Sequence, residues 1–452
     1  MDVCYIIFFF LLESATSLSH ILWSLPRLFL TRFLFNQQDE DGEFRDPSFD
    51  NIENARPFSP EFANKDNAAL EENLGSFCDF LCETHPHHAA EFRKNRLLER
   101  SSTMYADTEA RHTLLRAHRQ MIRLRQMDSI LMNAQRQGRI SFYMQCTGEE
   151  AIHMGAASAM DSQDPVLAQY REQGILMWRG FTLDQFTNQC FSNDLDLGRG
   201  RQMPVHYGSR ALQYHTVSSP LGTQLPQAVG VAYRLKLAKQ PNVAFCFFGD
   251  GCASTTDFHS AMNFAATLKA PVVFFCRNNG YAISTPVTDQ YAGDGIIGRA
   301  PGYGMAAIRV DGNDIFAVHS AVREAREYAL KNEAPVIIEA MTYRLGHHST
   351  PEDSTRYRSA DEVQDFSSTM DPLGRLQKFL IKHGLLTTEE VERMQEDERF
   401  AVLKAMERAE KRPKPPLDRL FEDVYYDLPA QLEYQKKSLL EHIAKYPKKY
   451  NL

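Results

Sequence analysis

The sequence predicts an α/β fold, a parallel sheet flanked by helices, and three observations point to it. Two continuous apolar runs, Val243 to Phe248 and Val272 to Cys276, are rich in Val and Phe and show no polar alternation. Strands of that kind are buried on both faces, as in a parallel sheet. Between them lies a helical pattern that Thr256 or Asp257 can cap and that runs to Lys269, so the segment reads as a βαβ unit. A third strand, Val336 to Thr342, follows another helical pattern from Ile315 to Leu330, which repeats the alternation.

The remaining elements follow in chain order. Residues 1–35 are strongly apolar, with an unbroken run from Tyr5 to Leu12, then Glu13, His20, Arg27 and Arg32. The run is too short to cross a bilayer and Glu13 and His20 interrupt a longer one, so no stable membrane span is expected. It reads as a targeting segment. Asp2 stands where a secretory signal is basic, and an organellar transit peptide is richer in Arg and Ser, so its own residues leave both readings open. Residues 36–106 mix Asn, Asp, Glu, Pro and Phe without a period and form an irregular extension. Cys78, Cys82, His85, His87 and His88 have zinc-binding residue types, but the spacing is no finger's, and a polar linker is the expected state.

Asp107 caps a long helix in which Leu114, Leu115, Met121, Ile122, Met127, Ile130 and Leu131 recur at helical spacing until Gly138. From Gly148 to Ser192 the pattern is helical again, and a Ser-Ser-Pro loop after Val217 leads into an Ala-rich helix ending near Lys239. From Leu373 the chain is helical and charged; a Pro-rich break at Lys411 to Pro416 precedes a last helix from Pro429 to Lys445. The expected organisation is therefore 1–106 leader and extension, 107–372 ligand-binding domain and 373–452 helical region. The 452 residues are 43% hydrophobic and 24% charged, an ordinary soluble balance, and the formal charge of -8 argues against a general nucleic-acid binder. The eight cysteines are scattered, which fits a reducing compartment.

Chemistry gathers where the two apolar strands end. Gly249-Asp250-Gly251 follows the first and Arg277-Asn278-Asn279-Gly280 the second. Both ends fall at the carboxyl edge of the sheet, where open α/β folds bind ligands. Asp250 offers a carboxylate and Asn279 an amide oxygen, and a carbonyl just after Gly280 adds a third oxygen, a set suited to Mg²⁺ sharing its shell with phosphate and water. The glycines let a diphosphate approach the backbone, the helix near Thr256 points its positive end there, and Arg277 adds a cation. Either motif alone is an ordinary turn; the pair after matched strands is a diphosphate-cofactor signal. A P-loop spelling is absent.

These residues resemble a known family. Gly249-Asp250-Gly251 with Asn278-Asn279 looks like the thiamine diphosphate motif. Gln169-Tyr170-Arg171-Glu172, Ser218-Ser219-Pro220-Leu221, the run Arg277 to Pro286, and Tyr343-Arg344-Leu345-Gly346-His347-His348-Ser349-Thr350 resemble the alpha subunits of branched-chain 2-oxo acid dehydrogenases. The resemblance spans about residues 107–447, and the pyruvate-using relatives usually carry Glu-Asn-Asn and a single His before the Ser.

The resemblance implies a thiamine diphosphate-binding fold and the decarboxylation of branched-chain 2-oxo acids, with acyl transfer to the lipoyl arm of an acyltransferase. It implies Mg²⁺ at Asp250, Asn279 and the carbonyl of Tyr281, and thiamine diphosphate at Gln169, Tyr170, Arg171, Ser219, Leu221, Gly251, Cys252 and Arg277. Ser218, Pro220, Thr223 and Gln224 match a K⁺ loop. His348 is the implied catalytic histidine beside Arg344; with an ordinary pKa near 6.5 it would exchange protons at neutral pH. Ser349 and Ser359 match regulatory phosphorylation positions, which implies a kinase and a phosphatase. The carboxylic acid that works on the other half of the cofactor belongs to a beta subunit in that family, so two alpha and two beta chains form the expected active unit, in the mitochondrial matrix. The loop after Asp250 departs from the family: Cys252 replaces a small residue, and Thr255 and Thr256 replace an acidic residue and Gly. Other readings left open are a pyruvate or broad 2-oxo acid enzyme and a catalytically impaired regulatory homologue.

Overall fold

The computed structural model describes residues 108–350 and 352–450. The expected leader, the extension with its Cys78–His88 cluster, and the Asp107 cap lie outside the described residues. The described chain begins with helix α1 (Thr108–Arg136), α2 (Glu150–Ala159), a two-residue strand β1 (Val166–Leu167), α3 (Gln173–Trp178), α4 (Leu183–Cys190) and α5 (Gln224–Leu237). Next come β2 (Ala244–Gly249), α6 (Thr256–Leu268), β3 (Val272–Asn278), the small hairpin β4 (Tyr281–Ala282) and β5 (Thr285–Pro286), and the short helices α7 (Val287–Gln290) and α8 (Ala300–Tyr303). Strand β6 (Ala306–Asp311), α9 (Ile315–Asn332), β7 (Val336–Met341), α10 (Ala360–Thr369), α11 (Pro372–Lys382), α12 (Thr388–Glu410) and α13 (Ala430–Lys445) complete the chain.

Five strands make one sheet in the order β1-β2-β3-β7-β6, and every neighbouring pair is parallel. The continuous apolar runs have two destinations, because successive side chains leave a strand on opposite faces. Phe245, Phe247, Val273, Phe275 and Ile338 enter one core, beneath α1, α2, α9, α11 and α12. Cys246, Phe248, Val272, Phe274, Cys276 and Ile337 enter the other, beneath α5 and α6. Phe247 and Phe275 stack across β2 and β3 with ring centroids 5.0 Å apart. Burial of each such ring stabilises by about 1.5–3 kcal/mol, so the strands that carry the site ends are firmly held from both faces.

Two strands of this sheet are missing from the sequence reading. β1 sits inside the stretch read as helical, and two residues are too few to show a period. β6 is an edge strand, half-buried throughout, whose Ala-Ala-Ile-Arg-Val-Asp lacks the apolar density of the interior strands. The helices α11 and α12 place Leu373, Leu376, Leu380, Val391, Val402 and Met406 in the core on one face of the sheet, so the stretch to Ala409 shares that core with α1, α2 and α9. Between Lys411 and Tyr450, by contrast, no residue is buried. No helix among the described residues is long and apolar enough to cross a membrane.

Candidate active site

The carboxyl ends of four strands converge. β1 delivers Gln169 to Glu172, β2 delivers Asp250, β3 delivers Arg277 to Asn279, and β7 delivers Arg344 and His348. The ends of β2 and β3 stay in step because Gly249 pairs with Arg277. Gln169 Oε1 accepts from the Gly249 amide at 2.9 Å, which ties β1 to the same edge.

At the bottom of the site is a buried charge cluster. Arg277 is 1% exposed; its Nε donates to Glu172 at 2.5 Å and its Nη1 to Glu149 at 2.6 Å. The sequence reading makes Arg277 a cation for phosphate oxygens. In the fold two of its nitrogens are committed to protein carboxylates, so much of its charge is compensated before any ligand arrives. Burial pushes the Glu149 carboxyl up, but Arg277 and Arg171 outweigh it and hold it below the usual range. The other oxygen of Glu149 accepts from Asn279 Nδ2 at 2.8 Å.

The residues expected to hold a metal stand at the neighbouring ends of β2 and β3 and at the start of the β4 hairpin. Asp250 opens a 3-10 turn, Asp250–Ser254, and is 1% exposed. That turn packs on the β4 hairpin: a Cβ on Gly251 would lie 2.7 Å from the Ala282 Cβ, so only glycine fits. The Asp250 carboxylate accepts from the neutral Gln290 amide at 2.8 Å and has no ion-pair partner among the described residues. Asn279 Oδ1 accepts from the Tyr281 amide at 3.3 Å. A buried carboxylate without an ion pair, an amide oxygen and a backbone carbonyl make a hard-oxygen donor set by type, which fits a divalent cation.

His348 is held by two guanidinium groups. Arg344 Nη1 lies 3.0 Å and Arg171 Nη2 3.2 Å from its Nδ1, and Arg171 also donates to its carbonyl at 2.5 Å. Guanidinium only donates, so Nδ1 must accept and the ring proton sits on Nε2. Burial first, then the charges of Arg171 and Arg344, lower its pKa to about 3. The expectation of a histidine that exchanges protons near neutrality is therefore corrected: His348 is a neutral Nε2–H donor. Tyr170 meets its ring edge-on with centroids 6.3 Å apart.

The loop beyond His348 is tied back to it. Arg344 Nη2 donates to the Tyr357 hydroxyl at 2.7 Å, and that hydroxyl donates to Glu352 at 2.8 Å. Glu352 also accepts from the His348 amide. Arg358 lies over the rings of Tyr281, Tyr343 and Tyr357 at 5.9, 5.2 and 5.8 Å. Ser349 is half-buried next to His348, whereas Ser359 is exposed and caps α10, its Oγ accepting from the Glu362 amide at 3.0 Å.

The Ser218–Gln224 loop forms the rim. Ser219 and Leu221 are exposed, and the Ser219 hydroxyl pairs with His206 Nε2 at 2.7 Å. Thr223 Oγ1 donates to the Pro220 carbonyl at 3.2 Å, bringing together two of the four expected K⁺ donors; Ser218 is half-buried and Gln224 buried. The loop leans on the altered segment after Asp250, because Gly222 leaves room for Thr255, whose Oγ1 would lie 2.6 Å from an added Cβ. Thr255 turns its hydroxyl to the Cys252 carbonyl at 2.8 Å and leaves the α6 terminus without a side-chain cap. Cys252 is 1% exposed in the α5–α6 core and burial pushes its thiol up to about 12, so its side chain is inert filling and its backbone is what faces the turn. The spelling Gly-x-Gly-x-x-Gly at Gly293 to Gly298 falls between α7 and α8 rather than between a strand and a helix, so it is no dinucleotide loop.

Sequence reasoning missed Glu149, Glu352, Tyr357 and Gln290. A Glu-Glu pair opening a helix reads as dipole complementation, and nothing in its spacing announces a partner 130 residues away.

Residues 118–418 match the model of the dehydrogenase E1 component family. Three relatives show how far the likeness runs. The mitochondrial 2-oxoisovalerate dehydrogenase subunit alpha of Homo sapiens is 50% identical over 361 residues, 79% of this chain and 81% of its own. That of Caenorhabditis elegans is 53% identical over 339 residues, 75% of this chain and 78% of its own. Subunit alpha 1 of Arabidopsis thaliana is 52% identical over 336 residues, 74% of this chain and 71% of its own.

Proposed function

Because the chain belongs to the dehydrogenase E1 component family, we propose that it works as its 2-oxoisovalerate-using relatives are named, as the alpha subunit of a branched-chain 2-oxo acid dehydrogenase. The reaction is oxidative decarboxylation of the acids derived from Leu, Ile and Val, with the acyl group passed to a lipoyl arm. The single observation that carries the reading is that the chemistry such a site needs, Asp250 with Asn279 and His348 with two arginines, is gathered at one sheet edge.

Thiamine diphosphate supplies, when bound, a nucleophilic carbon and an electron sink for loss of CO₂. Asp250, Asn279 and the Tyr281 carbonyl would hold Mg²⁺ against its diphosphate, with Gln169, Tyr170, Arg171, Ser219, Leu221, Gly251, Cys252 and Arg277 around it. Ser218, Pro220, Thr223 and Gln224 would hold K⁺ and brace the rim. His348, fixed with its proton on Nε2, donates a hydrogen bond to oxygen charge that develops on the substrate, and Arg344 orients it. The Arg344–Tyr357–Glu352 chain ties the loop back to that donor.

A beta subunit and a lipoyl-bearing acyltransferase are the partners, with two alpha and two beta chains as the proposed unit. The relatives' mitochondrial names support a mitochondrial address, and the matrix is the proposed compartment. A phosphate on Ser349 would bring about -1.5 to -2 charge against the His348 loop, and a kinase and phosphatase acting there would switch the enzyme. Turnover of 3-methyl-2-oxobutanoate and of pyruvate by the assembled complex tests the proposal: the branched substrate is expected to be strongly preferred, and preference for pyruvate refutes it.

A further inference from the structure

Two side chains decide how the metal donors are presented. We propose that Glu149 and Gln290 are positioning residues that fix which amide atom of Asn279 and which carboxylate oxygen of Asp250 faces the cation; this rests on reading that pair as the Mg²⁺ site.

An asparagine amide has a donating nitrogen and an accepting oxygen of nearly the same shape, and only the oxygen ligates a cation. Glu149 removes the ambiguity. Its carboxylate only accepts, and it takes Asn279 Nδ2 at 2.8 Å, so Oδ1 is turned the other way, toward the Tyr281 amide. Glu149 cannot follow a rotation of the amide, because its second oxygen is bonded to Arg277 at 2.6 Å and Arg277 is bonded to Glu172 at 2.5 Å. All three charged side chains are 0–1% exposed. A flipped Asn279 would set an amide oxygen against a buried carboxylate oxygen, with no water to relieve the contact.

Gln290 acts on the other donor. Its Nε2 donates to Asp250 Oδ2 at 2.8 Å, which leaves Oδ1 for the metal and stops the carboxylate from rotating. The Gln290 Oε1 is buried and has no hydrogen-bond partner. An orphaned acceptor next to a cation site is matched by the donor that Mg²⁺ brings with it, since the ion keeps several waters in its shell. Gln290 would thus meet the site twice, through its nitrogen to the carboxylate and through its oxygen to a water in the shell of the bound ion. Partners of this kind are worth about 10–100-fold in metal affinity.

The test uses the assembled alpha–beta complex, with Mn²⁺ followed by electron paramagnetic resonance and Mg²⁺ by calorimetry, in wild type, Glu149→Gln, Gln290→Leu and Asp250→Asn. Glu149→Gln is expected to weaken Mg²⁺ binding by about 10–100-fold and Gln290→Leu by about 10-fold, and the Mn²⁺ spectrum of each should broaden as the donors lose their fixed orientation. Turnover of Gln290→Leu should recover as Mg²⁺ is raised, a split that a merely structural defect does not produce. If Glu149→Gln, which takes from Arg277 one of its two carboxylate partners, fails to assemble, Gln290→Leu, whose residue is not in the buried charge cluster, decides alone. Metal binding that is lost in Asp250→Asn but unaltered in Gln290→Leu overturns the positioning role. Binding that Asp250→Asn leaves intact overturns the metal site itself, and the positioning role with it.

Discussion

Titrating the assembled enzyme from pH 8.5 down to 4.5 tests the state of His348. Its pKa is lowered from 6.5 to about 3 by burial and by the charges of Arg171 and Arg344, a difference of about 5 kcal/mol between the two protonation states. Each guanidinium, at a charge separation of ~5 Å and an effective dielectric of ~20, opposes the imidazolium by about 3 kcal/mol. Partial exposure of the ring screens that to between about one and two pKa units per arginine. The expected profile of kcat in wild type therefore shows no step from His348 between pH 5 and 8. Arg344→Met removes one donor and one charge, so a fall in kcat on the acid side should appear about one to two units higher than in wild type. His348→Gln keeps a neutral N–H donor and should lower kcat without changing the shape of the profile. A wild-type step near pH 6.5 that His348→Gln abolishes would refute the neutral-donor assignment.

Three further outcomes are expected. His153 is fully buried and burial lowers its pKa to about 3, whereas the unfolded chain takes up a proton at 6.5. The unfolded state then binds more protons between those values, so stability falls as pH drops through that window, by about 2 kcal/mol at pH 5. Melting curves at pH 7 and pH 5 should show that loss, and His153→Asn should show a smaller one; equal slopes would contradict the account. Phe275→Ala, which empties a fully buried site stacked on Phe247, should cost about 3–5 kcal/mol in urea unfolding, and a loss below about 1 kcal/mol would mean that the sheet centre repacks. Gly251→Ala should drive the Asp250 turn away from Ala282 and lower Mg²⁺ affinity at least about 10-fold with little change in melting; unchanged affinity would show that the hairpin yields.

Much of the fold was legible because its signals are local. A strand buried on both faces must be apolar at every position, and β2, β3 and β7 announce themselves in that way. The edge strand β6 and the two-residue β1 escape the same reasoning, since one has half its surface covered and the other is defined only by its pairing with Phe245 and Cys246. The site was legible to the same extent. Asp250 and Asn279 stand at the ends of readable strands, whereas Glu149, Gln290 and Tyr357 earn their places through partners far away in sequence.

By itself, then, the sequence determined the parallel sheet, the edge at which chemistry gathers and the residue types found there, because strand burial and strand ends are properties of short segments. The tertiary structure alone decided the charge states. His348 is neutral because Arg171 arrives from β1 and Arg344 from β7. Arg277 is compensated because Glu149 and Glu172 come from two other segments and meet it where water is excluded. Electrostatic energies depend on distances in space and on burial, and neither is written in the spacing of residues along the chain.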